Sequence, residues 1–520
     1  MKRNEAKQKR NGTRQNVTKR SKNATKTQLK RDASKSGRKR MKKFLSMILA
    51  ACFAASAALM ASCTGGNTGK TSAGHESVSS SEEEFDGWTP DNILSRPVEK
   101  DDIRIGSYVS FADTGKGWSG KDQVERLYYA GLNFMPMICT LPKSGMLTEA
   151  EKSYISRDLT DSKWWGKIDE LMQEYNMVYY FSELSGLAND HESSVRRESM
   201  INSDAVADAR KIIPNLKNCV GVKLVDEPAL SSFDEFAKWA RYYARITDAD
   251  GNLLGLDALV NHIGSYEYMS EWVKKAGREV NMISFDAYPF LNGGVNYATL
   301  TLMDQVRQLA NSKNMRIAMY PQSCAWAGAR MPDLNEIIWH FNTNLALGAT
   351  QFTYFNYTMY PAEGCSDAIF AIDGSVLHPE LLEGLTEYHK QIRALDANVR
   401  LTEYKVTESY MTSSQIGIKM LPATGFVINK EGLGSTDLLI TKFRSNDYES
   451  RVYYVNIVNN SFEKAMYDQE FLLDNNANID HLETYNYKTG KFEPLDVVNN
   501  SFIMSLEASE AAFIKVVEAE

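Results

Sequence analysis

The feature that most constrains this chain is an alternation. Between residues 102 and 395 short apolar runs give way, eight times, to longer segments of helical period. This is the pattern of βα units around a parallel sheet. The strand-like runs are DIRIGSYVSFA (102–112), NFMPMICTL (133–141), MVYYFSEL (177–184), CVGVKLVDEP (219–228), LLGLDALVNHI (253–263), VNMISFDAYPF (280–290), MRIAMYPQSCAW (315–326) and ATQFTYFNYTM (349–359). Between them lie amphipathic stretches such as KDQVERLYYAGL, WWGKIDELMQEYN and FDEFAKWARYYARI. A doubly wound open sheet is the competing arrangement, but no G-x-G-x-x-G or P-loop opens any of the helices. The polar residues decide for a barrel. The runs start apolar and end in SEL, DEP, NHI, DAYPF, PQSCAW and YFNYTM, and the carboxyl ends of barrel strands are where such a fold keeps its site. The expected class is α/β, a (β/α)8 TIM barrel over residues 96–398.

After a last helical stretch, HPELLEGLTEYHKQIRALDANVR, the pattern changes to short alternating runs between Asn, Gly and Asp turns, among them LLITKFR, RVYYVNIVNN and AAFIKVV. Residues 399–520 therefore read as a C-terminal all-β sandwich. Beyond the βα alternation no internal repeat is visible.

The other end of the chain is chemically different. Residues 1–62 hold 18 Lys/Arg against Glu5 and Asp32, which leaves residues 63–520 with a formal charge of -23. Residues 1–40 are too basic and too poor in apolar side chains to pack a core, and are expected to be an extension upstream of the true start at Met41. From Met41 a short positive head, an apolar stretch and small residues lead to a cysteine, the layout of a secretory signal over residues 41–62. A single membrane-spanning helix is the alternative, since the apolar stretch Phe44 to Met60 is just long enough. The LMASC sequence resembles a bacterial lipobox, which implies a lipid anchor on Cys63 and a protein exported and held at the outer membrane. Residues 63–95, rich in Gly, Ser and Thr and then acidic, suit a flexible tether.

An acidic working protein excludes nucleic acid as its main partner, because phosphate binding depends on clustered Lys/Arg. The cysteines at 52, 63, 139, 219, 324 and 365 show no spacing of a zinc site or a disulfide framework, and Cys139, Cys219 and Cys324 sit in or beside apolar runs as small buried hydrophobes do. No metal and no cofactor are expected.

The candidate chemistry sits in DEP, where Asp226 and Glu227 end the fourth strand and Pro228 turns the chain outward. Two carboxyls at a barrel mouth suit glycosidic bond cleavage, which needs one group to protonate the leaving oxygen and usually a second as base or nucleophile. The bland alternative is that DEP caps the following helix, SSFDEFAKWA, or forms a surface ion pair.

GVKLVDEPAL followed downstream by MISFDAYPF resembles clan A glycoside hydrolases, including family 42 β-galactosidases. The resemblance covers the barrel and extends to the β-rich tail. It implies that Glu227 is the general acid/base and that Asp226 stands where an Asn usually contacts the sugar 2-hydroxyl. It also implies a nucleophilic Glu at the end of the seventh strand, and here that position is Gln322, an amide that can neither attack nor act as base. Three resolutions are open. Asp286 at the end of the sixth strand could be the second carboxyl, with Glu183, Glu363 or Asp367 as weaker choices. Asp226 and Glu227 could act as the pair of a substrate-assisted N-acetylhexosaminidase, with Gln322 or Asn261 contacting the acetamido group. Or the chain could be a carbohydrate-binding lipoprotein that does not cleave.

Aromatic residues near the same strand ends, Tyr288, Tyr320, Trp326, Tyr354 and Tyr357, offer flat faces for pyranose C–H groups, and Asn261 and His262 offer polar contacts. The function expected is hydrolysis of an extracellular poly- or oligosaccharide.

Overall fold

The computed structural model describes residues 87–108, 120–136, 162–181, 210–359, 364–371, 373–413, 417–421, 428, 433, 436–445, 447 and 450–520. The leader, Cys63, Glu183 and Glu363 lie outside the described residues.

Eight parallel strands close into a barrel: β1 (Arg104–Ser107), β2 (Phe134–Met135), β3 (Val178–Phe181), β4 (Cys219–Asp226), β5 (Asp257–His262), β6 (Met282–Asp286), β7 (Arg316–Tyr320) and β8 (Ala349–Tyr354). They neighbour one another in chain order, and β8 returns to β1 with Arg104 opposite Gln351 and Ser107 opposite Tyr354. The helices between them are amphipathic. In α1 (Ser162–Glu174) Trp165, Ile168 and Met172 recur at helical spacing and are buried, and Trp165 stacks on Phe181 of β3 at 4.1 Å. The helix α2 (Phe233–Ala244) buries Phe233, Phe236, Trp239 and Tyr243, and α3 (Tyr266–Ala276) buries Met269 and Trp272. The helix α4 (Ala298–Lys313) ends at Asn314 in the left-handed conformation, a common helix stop. The sequence PDLNE starts α5 (Leu334–Ala346) with a capping box: Asp333 accepts from the Glu336 N–H while Glu336 accepts from the Asp333 N–H. The long α6 (Pro379–Val399) closes the ring, with proline in its first turn.

Because strand side chains alternate between faces, each barrel strand sends every second residue inward. At the amino ends of the strands the lumen is plugged by charge. Asp257, fully buried, pairs with Arg104 and Arg316, and Tyr180 donates to Gln351 at 2.6 Å. Around this plug Phe134, Leu259, Met282 and Ala318 fill the interior.

The tail forms an antiparallel six-stranded sheet from β9 (Tyr404–Met411), β10 (Leu438–Ser445), β11 (Val452–Asn459), β14 (Ala511–Glu518), β12 (Ile479–Asn486) and β13 (Lys491–Pro494), in that spatial order. A two-stranded sheet of Met466–Leu472 and Ser501–Leu506 covers one face, where Phe471 stacks on Phe502 at 5.0 Å over Ile440, Ile457 and Ile514. The other face, with Phe443, Val458 and Phe513, joins the barrel core. Polar ties hold that join: Arg307 donates to the Val406 carbonyl at 2.8 Å and Trp339 Nε1 to Asn460 at 3.0 Å. The expected tether overlaps the fold at its end. Ile93 is buried, and Trp88 and Asn398 bond to each other through backbone and side chain.

Candidate active site

The alternation that fills the lumen also builds its mouth. The last inward positions of successive strands are Tyr108 just after β1, Asp226 on β4, Asn261 on β5, Asp286 on β6 and Tyr320 on β7. On β4 the register slips between Lys223 and Val225, a bulge that lets Lys223 and Asp226 face the same way. Lys223 is buried, and its Nζ lies 3.4 Å from Asp226 Oδ2 and 4.1 Å from the centre of the Tyr108 ring. Asp226 also accepts from the Tyr108 hydroxyl at 2.5 Å and from Asn261 Nδ2 at 2.9 Å. Asn261 is oriented in turn by Ser284, whose hydroxyl donates to Asn261 Oδ1 at 2.9 Å. Burial alone would raise the Asp226 pKa, but the Lys223 charge and these hydrogen bonds reverse it, so the carboxyl sits below the ordinary Asp range and is ionised at neutral pH.

The two neighbouring carboxyls behave oppositely. Glu227 is exposed at the mouth and its N–H bonds the Asn261 carbonyl at 2.9 Å, continuing the ladder for one residue. Its φ of +43° is left-handed, an uncommon conformation for a Glu. Desolvation and then the negative Asp226 push its pKa up, while the neighbouring Asp286 holds it down. Asp286 is pushed well above the ordinary range by burial, by Glu227 and by Asp226. Glu227 and Asp286 thus form an interacting carboxyl pair beside a fixed negative charge. Neighbouring like charges cannot both ionise readily, so the pair holds a proton more firmly than isolated carboxyls do.

One wall of the mouth is aromatic. Tyr288 meets Trp326 edge-on at 4.8 Å and Phe355 at 5.6 Å, and Tyr108 lies 6.0 Å from Tyr320 and 5.6 Å from Phe355. Of the sequence candidates, the structure brings together Asp226, Glu227, Asp286, Asn261, Tyr288, Tyr320 and Trp326.

Five others are placed elsewhere, and strand alternation or packing explains each. His262 follows inward Asn261 and so faces outward, fully buried between Phe233 at 5.2 Å and Trp272 at 5.3 Å, where burial lowers its pKa to about 3. Tyr354 likewise faces the helices, with its hydroxyl 3.0 Å from His389 Nε2. Tyr357 is buried against Tyr354 and His389. Gln322, fully buried, spends its amide on backbone: Oε1 accepts from Phe290 N at 3.0 Å, and Nε2 donates to the carbonyls of Phe290 at 3.0 Å and Arg330 at 2.8 Å. It clamps the segments after β6 and β7 to each other, and its amide faces backbone and not the mouth. Asp367, a weaker choice for the second carboxyl, is paired with His378 at 2.9 Å.

Lys223, Tyr108, Ser284 and Phe355 were not anticipated. The signal for Lys223 was present: a cation in the middle of the apolar run CVGVKLVD has to find a buried partner. Tyr108 and Phe355 needed only the strand period, two residues on from Gly106 and Thr353. Among the described residues no group of three His, Cys, Asp or Glu side chains could hold a metal ion.

Fold and site together define a (β/α)8 barrel with a carboxyl cluster at its mouth. No protein-family model matches the chain, and no curated protein matches it in sequence. Among solved structures it is similar to the β-galactosidase of Bacillus circulans sp. alkalophilus, at 9% identity over 80% of this chain and 99% of that one, with a TM-score of 0.49. It is similar also to a maltogenic α-amylase of Thermotoga neapolitana, at 11% identity over 81% and 99% of the two chains and a TM-score of 0.47. A third is the β-galactosidase of the psychrophilic Marinomonas ef1, at 10% identity and a TM-score of 0.39, where the match covers 57% of this chain and 60% of that one. What the site can do is set by this chain's own carboxyls.

Proposed function

We propose that the protein is a glycoside hydrolase acting on an extracellular oligo- or polysaccharide, with Glu227 as the general acid and Asp286 as the second carboxyl. The observation that carries this is the pair itself, two carboxyls at the ends of β4 and β6, both raised in pKa, at the open end of a barrel, beside an aromatic wall. Burial and the neighbouring carboxyls favour the protonated form of the pair, and a proton delivered through Glu227 to the leaving oxygen leaves Asp286 ionised as base or nucleophile. Asp226, held negative by Lys223, stabilises positive charge that develops on the sugar ring. The aromatic faces take the apolar side of a pyranose. An export signal and a lipid anchor on Cys63 would place this site in the cell envelope, where such substrates are met.

A second version is favoured by the adjacency of Asp226 and Glu227 at the end of β4, with the Asn261 amide bonded to Asp226 at 2.9 Å. In the substrate-assisted version the substrate's acetamido group is the nucleophile, Asp226 orients it and Glu227 protonates the leaving group. A panel of aryl glycosides, with and without 2-acetamido groups, separates the two. In the first version Glu227→Gln and Asp286→Asn each lower turnover by roughly 10²- to 10⁴-fold on plain sugars. In the second only acetamido substrates react, and Asp226→Asn removes that activity. A Glu227→Gln protein as active as its parent would sink both, and no turnover of any glycan alongside measurable binding would make the chain a carbohydrate-binding lipoprotein.

A further inference from the structure

Behind the aromatic wall lie two cysteines that the chemistry above does not use. Cys324 follows β7 in a short strand, Cys324–Ala325, which pairs antiparallel with Asp367–Ala368, a short strand in the segment after β8. The pairing sets Cys324 opposite Ala368 and Ala325 opposite Asp367, and the Ser366 N–H bonds the Ala325 carbonyl at 2.8 Å. Cys365, three residues before Ala368, is buried in the same cluster as Cys324, together with Ala368, Trp326, Phe355 and Met359, so that the two thiols are neighbours. Neither is in a disulfide in this structure, and nor is Cys219, a buried thiol on β4. Buried cysteines are ordinary small hydrophobes, but two neighbouring thiols in one cluster, 41 residues apart in sequence, are placed for a bond.

We propose that Cys324 and Cys365 form a disulfide when the chain folds in an oxidising compartment, fastening the segment after β7 to the segment after β8 and fixing the Trp326–Phe355 wall of the site. The oxidant is a disulfide of the thiol-exchange class, either a protein dithiol oxidase or oxidised glutathione. The thiolate of one cysteine attacks it, giving a mixed disulfide and releasing one oxidant thiol. The second cysteine attacks the mixed disulfide at the first cysteine's sulfur, closing the intrachain bond and releasing the other oxidant thiol. Two electrons pass to the oxidant, and the two protons lost by the cysteines appear on its thiols. Timing follows from burial. In the folded chain the neighbouring thiol and burial hold Cys324 far above the ordinary thiol range, so little thiolate is present to react. The bond therefore forms while the loops are still open, and once buried it is shielded from reductants. The leader read from the sequence would deliver the unfolded chain to such a compartment.

The test uses the full chain in two preparations: recovered from the envelope of cells producing it, and unfolded then refolded in a mixture of oxidised and reduced glutathione. Free thiols are alkylated under denaturing conditions, and the chain is digested without reductant and weighed. The expected result is one joined species carrying Cys324 and Cys365, lighter by two hydrogens than its separate peptides, with Cys219 alkylated. The Cys365→Ser variant, refolded alongside, should show Cys324 alkylated and a Tm roughly 5 °C lower than the oxidised parent. Joined peptides in the refolded chain support the pairing whatever the envelope sample shows. Both cysteines alkylated in a refolded chain that has regained its parent circular dichroism would overturn it.

Discussion

At the scale of single residues, the site is an arrangement of charge. Three carboxyls stand at the mouth, and the buried Lys223 beside Asp226 is the strongest influence holding that one ionised. Removing that cation as Lys223→Met should raise the Asp226 pKa, so the acidic limb of the pH–rate profile moves to higher pH. An unmoved limb in a folded variant would show that Asp226 is held ionised by other groups. The alkaline limb belongs to the Glu227–Asp286 pair, whose pKa values are raised, and activity is lost as pH rises through them. Glu227 carries a second mark of function in its left-handed backbone. A residue held there is strained, and Asn tolerates the conformation better than Glu. Glu227→Asn should therefore be inactive yet more stable, by roughly 1 kcal/mol. A thermal melt in which this variant is less stable than the parent would remove strain from the description.

At the scale of elements, the strand period explains most of what the sequence made legible and most of what it hid. Asp226, Asn261, Asp286 and Tyr320 stand near the ends of the strand-like runs, and position alone found them. Position alone does not tell inward from outward, and so His262 and Tyr354, each one residue from an inward-facing neighbour, were grouped with the site although they pack on helices. Counting by twos from Asp257 or Gln351, both inward at the barrel floor, separates them. Gln322 misled for a different reason: its polarity suggested the mouth, but its amide is taken up by the backbone of Phe290 and Arg330. Element ends also carry a stability signature. Asp396, in the last turn of α6, accepts from Ile103 N at 2.7 Å and Leu401 N at 2.9 Å. Burial and the nearby Asp102 push its pKa up to about 7, above roughly 3.9 in an unfolded chain. The folded state then binds the extra proton, so this residue's contribution is full below about pH 4 and is lost as pH rises towards 7. Melting temperatures from pH 5 to 8 should fall more steeply in the parent than in Asp396→Asn. Equal slopes would contradict the assignment.

At the scale of the whole molecule, the barrel and the β-rich tail were both legible because each rests on a periodicity that survives in sequence, helical segments between apolar runs in one and strict alternation in the other. The charged plug of Arg104, Asp257 and Arg316 was not, since its members come from three strands more than 50 residues apart and meet only when the barrel closes. The same holds for the pairing of Glu227 with Asp286 across the mouth. That pairing is the centre of the functional proposal, and leaving-group dependence tests the role of Glu227 in it most directly. A general acid matters most when the leaving group is poor, because a good one departs without a proton. Steady-state kinetics on aryl glycosides of graded leaving-group pKa should show Glu227→Gln close to the parent for the most acidic phenols and falling away steeply as the phenol becomes less acidic. A loss of the same size across the whole series, or no loss at all, would contradict Glu227 as the acid.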